Sequence, residues 1–181
     1  MTGPIELAPG EFVDLICQCG ISGLRDTFLS VLKDAWQRIP PPDRRTILDY
    51  FERRHHWYPR VILGTRIGST SPVAMGGGKD DGFMAWFDSL ALLELPGKES
   101  SMLAVLGEEL AHAFLLASQD PTHISDPPNQ DRESVEYQTW NNAREEAMKK
   151  VLYQWPFDRD EHARVISWLQ SKTAVTPSEK R

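Results

Sequence analysis

Apolar positions recur three and four apart over several stretches, and that spacing predicts helices. Leu24, Phe28, Val31, Leu32, Ala35, Trp36 and Ile39 form the first such stripe, with Ser22 placed to cap it. Pro40, Pro41 and Pro42 end that helix, because a proline pushes the residue before it out of helical geometry. Asp43 reads as the cap of a second helix with Ile47, Leu48, Tyr50 and Phe51 on its apolar side. From Lys98 to Ser118 the pattern is strongest, with Leu103, Leu106, Leu110, Ala113, Phe114 and Ala117 in phase. Two further helices are predicted near Arg132–Gln154 and Asp158–Ser171.

Between the second and third helices the period changes. "RVILGTRIG" is rich in β-branched residues and reads as a strand, and a second strand runs from about Phe83 to Phe87. The intervening "STSPVAMGGGKDDG" has no apolar period and reads as a mobile loop or hairpin connection. "EFVDLICQC" fits either a short strand or an early helical turn. The expected organisation is a flexible segment over 1–20, one domain over 21–172 and a disordered tail over 173–181. Helices and strands are segregated along the chain, so the fold class is α+β, with a small sheet packed against a mostly helical body.

Composition narrows the function classes. The chain has 181 residues, enough for one sizeable core, and a formal net charge of -6, which argues against nucleic-acid binding. Arg44, Arg45, Arg53 and Arg54 read as a solvated helix face. No apolar run reaches the ~18 residues of a membrane span, and no basic-then-apolar leader opens the chain, so no membrane association and a cytoplasmic setting are expected. Cys17 and Cys19 are too close in sequence to suggest a disulfide framework, and their expected role is structural. "GGGKDD" fails as a phosphate loop, since Val73 and Asp80 stand where glycine and a hydroxyl residue are needed.

The candidate chemistry lies on the strongest helix, in "GEELAHAF". Glu108 and His112 are four apart and project from one face, and Glu109 sits about 100° round. Two residues so spaced can hold a metal ion from one helix, with a third ligand from a later helix. The helix "NNAREEAMKKVLYQ" supplies Glu145 and Glu146. Either acid can turn back towards His112; Ala143, Ala147 and Val151 favour Glu146. His123 lies close enough in sequence to swing towards such an ion, His55 and His56 diverge from each other, and His162 is expected at the surface. Trp86, Trp140, Trp155 and Trp168 read as core and cleft-wall residues.

The ordered segments "AWQRIPPPDRRTILDYF", "VILG", "GFMAWFDSLALLELP", "GEELAHAF" and "REEAMKKVLYQWPFD" resemble the bacterial zincin-like metallopeptidases over roughly residues 35–158. That resemblance implies a zincin-like single domain, a peptide or protein substrate, Glu109 as general base, and His112 and Glu146 as metal ligands. Glu108 stands where the family has its first histidine, so the metal set implied is Glu108, His112 and Glu146. "WPFD" departs from the family's "WGFD", a change that touches packing more than chemistry. Two carboxylates leave a divalent ion formally neutral, which weakens its pull on bound water and shifts preference from zinc towards manganese or magnesium. The substitution therefore opens a second expectation, a catalytically inactive zincin-fold protein that binds a protein partner through its cleft. A third makes Glu108 a replacement in an otherwise ordinary His-Glu-x-x-His enzyme.

Overall fold

The computed structural model describes residues 4–55, 58–64, 74–76 and 83–175. Strands β1 (Pro4–Ala8) and β2 (Glu11–Cys17) form an antiparallel hairpin. Helices α1 (Leu24–Arg38) and α2 (Pro41–His55) then lead into β3 (Arg60–Gly64). Strands β4 (Ala74–Gly76) and β5 (Ala85–Asp88) follow, then the short helix α3 (Ser89–Leu93). Helix α4 (Glu99–Ala117), the one-turn α5 (Pro121–Ile124), α6 (Val135–Gln154) and α7 (Arg159–Val175) complete the order. The sheet runs β1-β2-β3-β5-β4; β2, β3 and β5 are parallel, and β1 and β4 lie antiparallel at its two edges. A mixed sheet against a larger helical body bears out the α+β class.

Several expectations change. The segment 1–20 was expected to be flexible, with "EFVDLICQC" open as a short strand or an early helical turn; β2 takes the strand alternative. In β2, Val13 and Leu15 fall on the buried face of a period-two pattern, and β1 pairs with it antiparallel, burying Leu7 and Ala8. Helix α1 is preceded by Gly23 at φ 78°, not capped by Ser22. Helix α2 starts at Pro41, a residue suited to a first turn, and Asp43 lies inside that turn. Strand β5 gives way to helix at Asp88, whose carboxylate accepts the Leu90 and Ala91 backbone N–H groups. Ala74–Gly76, expected in a loop, pairs with β5 as an edge strand. The end of "RVILGTRIG", most of the glycine-rich stretch, His56 and residues 176–181 lie outside the described residues.

Helix α4 is the hub of the core. It packs against α1, α2, α6 and α7 and also touches β4 and β5. Its composition and length match those of a membrane span, with a mean hydropathy of 1.3, contrary to the expectation that no stretch qualifies; 67% of that window is buried inside the fold. Leu106, Leu110 and Ala111 sit in the same core as Phe28, Trp36, Phe51 and Phe87. Each large side chain so buried contributes roughly 1.5–3 kcal/mol.

Polar ties fix the helices around this hub. Glu11 accepts from Trp36 Nε1 and from Arg44 Nε at 2.7 Å, joining β2 to α1 and α2. Trp155 Nε1 donates to Asp43 at 3.0 Å, and Arg38 donates to the Pro156 carbonyl at 2.7 Å. The "PPPDRR" and "WPFD" segments therefore meet in space. Arg45 pairs with Asp49 and Glu52, so the basic cluster is partly neutralised on its own helix. Cys17 and Cys19 are free thiols with sulfurs 3.8 Å apart, both packed against the core.

Candidate metal centre

Helices α4 and α6 pack side by side, and their contact sets the geometry of the site. Gly107 makes that contact possible. A Cβ there would sit 2.6 Å from the Phe157 ring and 3.0 Å from Leu152. Immediately beyond it, Glu108 and His112 turn towards α6. Glu145 comes from α6 to meet them, and one potential ligand atom from each lies within 4.8 Å of the others. His112 Nε2 is 3.6 Å from Glu145 Oε1.

Glu146 does not join this group. It is exposed and pairs with Lys149 at 3.3 Å. Helix phase explains the difference. The buried residues of α6 are Met148 and Leu152, three and seven positions after Glu145, so Glu145 shares their stripe. The small residues that pointed to Glu146 mislead, since Ala143 is exposed.

His123 stands behind His112. His112 Nδ1 and His123 Nε2 are 2.7 Å apart, and His123 Nδ1 is 2.8 Å from Thr122 Oγ1. The Thr122 hydroxyl donates to the Asp120 carboxylate, the cap of α5. Its oxygen is then left to accept from His123 Nδ1–H, which makes His123 Nε2 an acceptor for His112 Nδ1–H. The relay thus places the lone pair of a neutral His112 on Nε2, the nitrogen facing Glu145. Burial, helped by His112 and Arg144, pushes the His123 pKa down to about 3, in keeping with a neutral acceptor.

His162 is a second histidine at the site, and it is buried rather than exposed, at 1% accessibility. Its Nε2 is 3.3 Å from Glu108 Oε2 and its Nδ1 is 2.8 Å from the Tyr153 hydroxyl. Arg144, beside Glu145 in sequence, donates to the Thr122 carbonyl and lies over the Trp140 ring.

Glu109 is buried, and its Oε2 has no hydrogen-bond partner among the described residues. Burial raises its pKa to about 7; His112 counters this and the Glu108 and Glu145 charges add to it. For His112, burial opposes the charged form, but Glu145, Glu109 and Glu108 outweigh it and raise the pKa. Burial works against the charge of Glu145 too, yet His112 holds its pKa below the ordinary value. Without a cation, the carboxylates around His112 favour its charged form as their countercharge. A dication on Glu108, His112 and Glu145 would take over that countercharge beside the residue after Glu108, Glu109, whose Oε2 has no hydrogen-bond partner among the described residues. The donor set, one imidazole with a prepared lone pair and two carboxylates, suits such an ion.

Of the residues predicted from sequence, Glu108, His112 and Glu109 stand together as expected, and Glu145 takes the place given to Glu146. His162 was expected at the surface and Tyr153 was not singled out, because helical period says nothing about which partner a histidine meets across the bundle. No protein-family model, no curated protein and no solved structure matches the chain.

Proposed function

We propose that this chain is a metal-dependent hydrolase of zincin type that acts on peptide bonds, with a divalent ion held by Glu108, His112 and Glu145. The observation that carries the reading is the convergence of these three side chains from two helices, within 4.8 Å of one another. A divalent ion there would supply Lewis acidity, lowering the pKa of the attacking water and polarising the scissile carbonyl. Glu109, one residue round the helix from Glu108, would accept a proton from the attacking water and pass it to the leaving amine. Strand β4 is one of the two edges of the sheet among the described residues, and it touches α4. An extended peptide added along it would run beside the helix that carries Glu108 and His112. Oxygen-rich ligation favours manganese or magnesium alongside zinc.

The test is hydrolysis of an unstructured protein substrate with zinc, manganese or magnesium supplied in turn. Turnover with one of these ions, lost in Glu109→Gln while the variant still binds that ion, is the expected result. Binding of the ion with no turnover on any substrate would reject the hydrolase.

One observation favours a second reading, a non-catalytic protein that binds a partner through its cleft. The His112–Glu145 ion pair and the His112–His123 relay already satisfy one another without a cation. That reading predicts no change in partner binding when chelator is added.

A further inference from the structure

Helix α7 carries a histidine at the site that the ligand set does not use. His162 is 1% exposed, and its two ring nitrogens meet side chains from two other helices. On one side the Tyr153 hydroxyl of α6 lies 2.8 Å from Nδ1; on the other, Glu108 Oε2 of α4 lies 3.3 Å from Nε2. The Tyr153 ring also stands edge-on to the imidazole, with centroids 5.6 Å apart, which fixes the ring plane. The start of α7 is anchored as well, because Asp158 accepts the Asp160 and Glu161 backbone N–H groups.

These contacts settle where the protons go. Nε2 faces a carboxylate oxygen, so it carries a proton and donates. If the imidazole is neutral, Tyr153 donates to Nδ1; if it is charged, Tyr153 accepts. In both states Glu108 Oε2 is held by His162, which orients the carboxylate that meets His112 and Glu145. A free glutamate side chain has three rotatable bonds, and fixing them costs entropy that a preset hydrogen bond removes from the binding step.

Resting on the reading of Glu108, His112 and Glu145 as a metal site, we infer that His162 is a positioning residue for the metal. It acts through Glu108 rather than by touching the ion, and Tyr153 sets its orientation. A histidine on α7 thus supports the carboxylate that occupies the first ligand position on α4. His123 supports His112 in the same manner from the other side, so both α4 ligands are held from behind.

The test is zinc affinity of the full chain, read by competition with a chromophoric chelator, with cobalt absorption as a second readout. Removing a support of this kind typically costs 10–100-fold in affinity. His162→Leu is expected to lose about that much. On a Glu108→Ala background, His162→Leu is expected to cost nothing more, since its route to the ion is already gone. His162→Gln keeps an amide N–H near the place of Nε2, whereas His162→Asn reaches only the place of Nδ1. The Gln variant should therefore bind zinc much more tightly than the Asn variant, a comparison that holds even if the leucine variant fails to fold. Unchanged affinity in His162→Leu, equal affinity in the Gln and Asn variants, or a further loss on the Glu108→Ala background would each overturn the inference. No zinc or cobalt binding by the unmodified chain would overturn the metal site itself.

Discussion

Glu145 and Glu146 are neighbours with opposite surroundings, and single substitutions should separate them. Glu145→Ala removes a ligand and should lower metal affinity by at least ~100-fold, more than the loss of a supporting group would. Glu146→Ala removes only an exposed pair with Lys149, worth about 0.2–0.5 kcal/mol of stability, and should leave affinity unchanged. Isothermal titration of both variants checks this. Glu109 makes a prediction about pH. Its pKa rises from 4.5 unfolded to about 7 folded, so the folded state binds more protons between those values. The metal-free protein should therefore lose stability as pH rises from 4.5 to 7, by roughly 3 kcal/mol if fully expressed. His112, also raised, adds stability that is complete below 6.5 and lost above it, so its sign is the same. Glu145, lowered, contributes above 4.5 and loses that contribution only as pH falls through its folded value. Thermal melts of chelator-treated protein should show the decline, and Glu109→Gln should flatten it. At this scale the sequence exposed the α4 residues through the i, i+4 rule. It hid the choice on α6, where the heavier Met148 and Leu152 set the buried face and the alanines do not.

The elements were most legible where the apolar period was long. Helices α1, α4 and α6 lie close to their predicted spans; α1 buries a stripe, α4 most of its surface, and α6 Met148 and Leu152. Short edge strands were harder. Strand β1 carries only Leu7 and Ala8 as buried residues, and β4 is three residues long, so neither shows much alternation. Their pairing comes from neighbours distant in sequence, which local pattern does not encode. Helix α3 was missed because the apolar run after Asp88 continues without a change in composition, and the Asp88 side chain alone marks the switch. The α4–α6 contact gives a prediction at this scale. Gly107→Ala would drive a methyl group to 2.6 Å from Phe157, and overpacking of this kind costs about 1–3 kcal/mol. A lowered melting temperature is expected, together with weaker metal binding, because the same contact sets the distance from Glu108 to Glu145.

For the molecule as a whole, the α+β class and the helical body followed from segregation of the two periods. The sheet order did not, because β2 pairs with β3 across two intervening helices and β5 inserts between β3 and β4. The segments that prompted the zincin resemblance converge around α4, with "WPFD" tied to Asp43 of α2. A zincin scaffold predicts that Glu108→His raises zinc affinity and moves preference from manganese towards zinc, since imidazole is the softer ligand; unchanged selectivity would count against that architecture. The most direct measurement is the metal content of the chain purified without added metal or chelator, by elemental analysis, beside His112→Ala, Glu145→Ala and Glu146→Ala. The account predicts near-stoichiometric divalent metal in the unmodified chain and in Glu146→Ala, and its loss in the other two. An unmodified chain that holds no metal even when zinc, manganese and magnesium are supplied in excess would contradict it.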